Sequence, residues 1–281
     1  MKKLQTLLAV AMGSVLLNAG LNASAQAAKP GYATVVRVKG EVMYSLDNGA
    51  TKHPLVAGKY LEAGATVYTG ADGVTDIVLG KSIDLPQAKW VPEHISLAVD
   101  SPVRGLVSYR PSQQQNAVRL AENTTLKIDK LTTQSSAVDA VSDTELDLQK
   151  GSMYASVKKL SAAAQYLVKT PTGIAGVRGT EFSICLNADG SIKSVSVLQT
   201  HNDDGLVLAI TSATTGQTET FVIQAGQVYL QGHTSPISMT PQQINTINQI
   251  IKILRTPFFQ IVSFDNDRTT ATESGDIGSS F

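Results

Sequence analysis

The chain has 281 residues with 23 basic and 23 acidic side chains, so its formal charge is zero. That balance offers no basic face for nucleic acid or for an anionic membrane surface. Aromatic residues make up only 5% of a chain that is 42% hydrophobic, so the core has to be Val, Ile, Leu and Ala, which suits sheets, and an aromatic-lined carbohydrate cleft is disfavoured.

The N-terminus opens with Met1-Lys2-Lys3, turns apolar over residues 7–17, then small and polar up to Ala25-Gln26-Ala27. A basic start, a short apolar stretch and Ala-x-Ala candidates at Ala23/Ala25 or Ala25/Ala27 describe a signal peptide over residues 1–27. The apolar stretch is too short for the roughly 20 residues that cross a bilayer as a helix. No cysteine follows it, so no lipid anchor is expected, and removal of Lys2 and Lys3 leaves a slightly acidic, soluble chain. The expected location is exported: periplasmic, secreted or at the cell surface. Cys185 is the one cysteine, so the exported fold must hold without an internal disulfide.

Residues 33–44 alternate like a strand broken at Gly40, and Asp47-Asn48-Gly49 marks a turn. Short β-rich runs follow at 65–68 and 75–79, between Gly58, Gly64, Gly70 and Gly73. Residues 81–116 differ: they carry Pro86, Pro92, Pro102 and Pro111, the single tryptophan Trp90 and a glutamine run. Within them, 95–99 and 105–109 can form a protruding hairpin. Trp90 and Tyr109 are the candidate partner contacts, and a merely variable loop is the alternative.

Strand texture resumes at 117–120 and 125–128, with a loop expected at Ser135-Ser136. It continues at 145–148, 153–157, 166–168, 182–186, 194–198, 206–211, 220–223 and 227–230. The class is mainly β, either a roll, a sandwich or an irregular solenoid of many short strands, in one domain over residues 28–239. One helix is expected over 240–255. Thr240 is its N-cap, Pro241 takes the first helical position and Gln243 completes a capping box. Ile244, Ile247, Ile251 and Leu254 fall on one face, which reads as packing on the β body, and Pro257 ends the helix. Residues 256–281 read as a polar, mobile tail.

The segment from Lys169 to Phe182 is the most informative. Pro171, Gly173, Gly176 and Gly179 punctuate two strands, reading as strand, tight backbone excursion, strand. Thr170-Pro171 and Gly176-Val177-Arg178-Gly179-Thr180 resemble the signature of the FecR domain. Weaker elements flank it in order: residues 64–79, with a strand ending in Thr69-Gly70; 120–128, around Asn123-Thr124; 148–154, with Gly151; then 195–198 and 225–228. The resemblance implies a non-enzymatic periplasmic sensor or regulator module. Signalling members are similar to a three-part plan of cytoplasmic sigma-controlling segment, membrane helix and this domain. The first two are not evident here, so the anti-sigma role is not implied. Residues 81–116 stand as an insertion in the family pattern, and 199–205 as a longer turn.

Arg178 is read as structural, its five donors tying down the turn by bonding backbone carbonyls or a nearby carboxylate, with Glu181 as the candidate. Its loss is expected to lower stability more than partner affinity. Histidines 53, 94, 201 and 233 lack metal-ligand spacing, so no metal is expected. Asn202-Asp203-Asp204-Gly205 lacks the calcium-loop pattern, and Cys185 reads as a packed thiol. No nucleophile elbow or phosphate loop occurs; Asp72, Asp76 and Asp84 lie close along the chain near glycine turns. The expectation is a non-catalytic module without cofactor that binds a protein or envelope ligand in sensing. An envelope scaffold is the alternative, and a hydrolase with an unrecognised carboxylate pair comes third.

Overall fold

The computed structural model describes residues 29–80, 103–109, 116–135, 140–160, 164–201, 205–212, 215–255, 258–265 and 268–275. Among these residues the chain is mostly β with one helix, near the C-terminal end, as its patterning implies. Two large sheets enclose one apolar core, so among the expected β forms it is a sandwich. The front sheet runs Thr218–Ile223, Leu206–Thr211, Gly173–Val177, Gln165–Thr170, Ala140–Lys150, Thr125–Ser135, Thr66–Thr69, Val42–Ser45, His53–Pro54, with Lys29–Pro30 added beside Thr125–Ser135. The rear sheet runs Ile237–Ser238, Gln227–Leu230, Ile192–Thr200, Thr180–Leu186, Ser152–Ser156, Asn116–Leu120, Val74–Gly80, Tyr32–Lys39, Tyr60–Leu61.

The chain builds this sandwich by passing repeatedly from one sheet to the other, mostly after one or two strands. All strand pairs within it are antiparallel except Ala140–Lys150 with Gln165–Thr170. Period-two side-chain alternation sends one face of each strand inward. In Thr180–Leu186, for example, Phe182 and Ile184 enter the core while Glu181 and Ser183 face the other way. Core residues are Val, Ile, Leu and Ala, joined by Tyr166 and Phe182, whose rings meet edge to face at 6.5 Å.

The crossings are where the sequence motifs sit. Thr69 and Thr124 hold each other at one of them: Thr69 Oγ1 accepts from the Thr124 N–H at 2.8 Å and the Thr124 carbonyl accepts from the Thr69 N–H at 2.9 Å. Thr124 Oγ1 in turn donates to the Ser152 carbonyl at 3.1 Å and accepts from the Ser152 N–H at 3.0 Å. Gly151 lies against this knot with φ +85°, and a Cβ there would stand 2.4 Å from Thr124 Oγ1. Only glycine fits such a backbone and such a gap. The Thr69-Gly70, Asn123-Thr124 and Gly151 elements, far apart in sequence, thus meet at one place.

The helix, α1, spans Pro241–Leu254 with Thr240 as N-cap and the capping box formed with Gln243. It covers the outer face of the rear sheet. Ile247, Ile251 and Leu254 pack on Val78, Ala117, Val228 and Met239 as a second core, whereas Ile244, the first member of the stripe, is 37% exposed. Beyond α1, the residues read as a tail contribute Phe258–Asp265 and Arg268–Gly275. These form a third sheet with Val103–Tyr109 from the insertion, Phe258–Asp265 in the middle. The apolar, β-branched and aromatic run of 258–264 pairs with the adjacent Arg268–Gly275 on one side and with the distant Val103–Tyr109 on the other. Residues 95–99, the expected hairpin partner of 105–109, lie outside the described residues, as do 1–28.

Candidate functional site

The signature occupies the passage from the front to the rear sheet. Thr170 Oγ1 donates to the Gly173 carbonyl at 3.0 Å and closes the turn at Pro171. Gly173–Val177 then runs back antiparallel to Gln165–Thr170, with Val177 in the core. Arg178 and Gly179 carry the chain across. Gly179 has φ +71°, and a Cβ on it would stand 3.0 Å from Lys159 Cα. Its carbonyl accepts from the His201 N–H at 2.6 Å, and the next carbonyl, of Thr180, accepts from the Val157 N–H at 3.0 Å. The crossover is therefore stitched to chain on both sides. Behind it the fully buried hydroxyls of Thr180, Tyr166 and Thr144 make no hydrogen bond, and burial pushes the Tyr166 phenol above its usual range.

On the outer face of the front sheet the same segment leaves a trough. Gly176 lies between Leu167 and Val207 in register, and all three border a concavity of about 370 Å³. Leu167, Val177, Val207 and Gly205 line it, and half-buried Arg178 stands at its wall. From this trough an apolar row continues outward. Val207 sits opposite Val222 on the last strand, with Ile174 one step along; they are 43%, 48% and 45% exposed. The other half of this face is ionic. Lys169 bonds Glu145 at 2.6 Å and reaches Asp129 at 3.4 Å, Lys127 also reaches Asp129 at 3.4 Å, and Lys130 bonds Asp143 at 2.8 Å. Within the front-sheet strands the exposed large apolar side chains lie at the signature end, while Leu46 and Val56 stand out from loops beyond the opposite edge.

The rear sheet carries buried charge beneath α1. Arg37, Asp76 and Arg119 are opposite one another on three adjacent strands. Asp76, 0% exposed, accepts from Arg119 Nε at 2.6 Å and Nη2 at 2.7 Å, and from Arg37 Nη1 at 3.0 Å. Arg37 Nη1 also donates to the Ile253 carbonyl at 3.4 Å, in the last turn of α1. Arg255, just past the helix, bonds Glu181 at 3.2 Å and Ser156, which itself donates to Glu181 at 3.2 Å. Glu181, proposed from sequence as a partner of Arg178, is thus engaged on the helix side.

The remaining sequence candidates are scattered. Trp90, His94 and Asp84 lie outside the described residues; Tyr109 pairs through its backbone with Phe258. Asp72 caps the Glu41 N–H at 3.2 Å, and Asp76, held by two arginines, does not face solvent. His53, His201 and His233 are exposed and apart, Cys185 is half-buried, and no three metal-ligating side chains converge among the described residues. Sequence reasoning missed the Arg37–Asp76–Arg119 row and the Glu181–Arg255 contact because both depend on register and on where α1 lands. The exposed Val207 and Val222 were legible as strand residues, but not as a surface.

The family model described as FecR protein matches residues 110–201. That span holds the Asn123-Thr124 and Gly151 elements, the full Thr170–Thr180 signature and the strand at 195–198, so the resemblance read from those residues is borne out there. The fold and the matched span together define a two-sheet β protein with a FecR-type segment at its centre. No curated protein matches the chain. Two crystal structures of a candidate anti-sigma factor from Parabacteroides distasonis share 11% identity with it, at TM-scores of 0.33 and 0.32. The matches cover 53% and 52% of this chain and 61% and 65% of those chains.

Proposed function

We propose that this is an exported, non-catalytic FecR-like module that takes part in envelope sensing by binding a protein or envelope ligand. The FecR match supports a signalling role at the level of the family. The observation that carries the binding reading is the exposed apolar row of Ile174, Val207 and Val222 beside the Gly176 trough, on a face otherwise laced with ion pairs. Contiguous exposed apolar surface marks contact sites more often than scattered residues do. A binding role also gives the FecR signature a purpose beyond folding: it borders the trough with Gly176 while Gly179 fixes the crossover behind it.

The test is in-cell photocrosslinking with a photoreactive residue at Val207 and, as control, at Lys127 in the ionic half. A discrete adduct is expected from position 207 and none from 127. Equal labelling at both, or no adduct at 207, would overturn the reading. Export is checked separately by fractionation and by the N-terminal sequence of the mature chain, expected to begin just after Ala27.

A further inference from the structure

The two large sheets have four edges, and three of them end in strands of two residues: His53–Pro54, Tyr60–Leu61 and Ile237–Ser238. Such short edges, one with a proline, give another chain little backbone to pair with. The fourth edge is built differently. Thr218–Ile223 has six residues, all paired to Leu206–Thr211 on one side and to no described strand on the other. It contains no Pro, Gly or Lys to blunt it. Phe221 and Ile223 turn into the core, while Thr218, Thr220 and Val222 are exposed, and Val222 prolongs the apolar row to the rim.

Glu219 decides what can sit there. It is the strand's one charged residue, and it is exposed at the inward-facing side of the rim. Burial and the Glu219 carboxylate together push the nearby Tyr229 phenol up, and Tyr229 packs on Phe221 at 4.8 Å. No cation among the described residues pairs with Glu219. Because the strand has no Lys or Arg, pairing with a second copy leaves both carboxylates uncompensated in every register, and in one register sets them face to face. A heterologous strand with a cation at that position removes the penalty. We propose that Thr218–Ile223 accepts an extended segment of a partner polypeptide as an added antiparallel strand, with a Lys or Arg opposite Glu219 and apolar side chains beside Val222. The backbone of the edge supplies affinity, and the alternating side chains supply selectivity. This rests on the binding-module reading and adds the mode of contact.

The probe is a capped, fluorescein-labelled hexapeptide, Thr-Val-Thr-Val-Lys-Thr, titrated with the full protein by fluorescence polarisation. Saturable binding is expected, lost when the peptide backbone is N-methylated. Replacing the peptide lysine by glutamate should weaken binding roughly three- to tenfold, and Glu219→Lys in the protein should reverse that order of preference. Glu219 is exposed, so the variant is expected to keep its melting temperature. No binding, or an order of preference unchanged by Glu219→Lys, overturns the proposal. So does a peptide-free dimer that Val222→Asp dissociates, which would give this edge to a second copy. A crosslink at Val207 without saturable peptide binding removes the added strand while leaving the binding reading; neither crosslink nor peptide binding removes both.

Discussion

Asp76→Ala tests the logic of the rear sheet most directly. The substitution strips the carboxylate that two guanidiniums share, and both arginine side chains are nearly nine-tenths buried, at 13% and 12% exposure. Breaking a buried pair by removing one partner costs about 3–5 kcal/mol, because the charge left behind has lost its water and its counter-ion. Arg37 keeps its bond to the Ile253 carbonyl, which places the expected loss near the lower end, about 3 kcal/mol. At roughly 2–4 °C per kcal/mol, the melting temperature should fall by about 6–12 °C. The assay is thermal unfolding by circular dichroism, paired with limited proteolysis around residue 255, because the row also anchors the last turn of α1. Replacing the whole row by apolar residues (Arg37→Met, Asp76→Leu, Arg119→Met) should recover most of the loss, since the desolvation cost goes with the charges. A single Asp76→Ala variant that melts within about 2 °C of the native protein would refute the reasoning.

Two further outcomes are expected. Gly179→Ala forces an L-residue to φ +71° with its Cβ crowding the Lys159 backbone, so it should cost about 1–3 kcal/mol in chemical denaturation; an unchanged midpoint would mean that the crossover relaxes freely. The Asp47 carboxylate accepts from the Ser45 hydroxyl and the Thr51 N–H, which lower its pKa from 3.8 to about 2. Because the folded value is depressed, its stabilisation of the turn is present above the unfolded value and lost as pH falls through about 2. A carboxyl carbon shift that titrates near 4 in NMR would contradict that.

Much of the fold was legible along the chain. Period-two runs at 33–44, 182–186 and 194–198 are strands, and Thr240-Pro241-Gln242-Gln243 starts the helix where its chemistry says it should. Local chemistry decided those elements, so local reading found them. What failed to show was everything set by which strands become neighbours. Residues 258–264 carry a strand pattern inside a stretch polar enough to read as tail; they pair with Arg268–Gly275 next to them and with the distant Val103–Tyr109, which no local pattern announces. Asp76 read as one acid among several near glycine turns, because Arg37 and Arg119 approach it only through register. The signature was visible as a tight excursion, yet its trough depends on Leu167 and Val207 flanking Gly176, and only the strand order reveals that.

The third sheet has a consequence for how the chain matures. Its middle strand follows α1, while Val103–Tyr109 is made before most of the sandwich. Long-range pairing of this kind closes late. Until the hairpin of residues 258–275 emerges, the earlier strand has no partner among the described strands, so a chain truncated after α1 should be prone to clumping even with its sandwich intact.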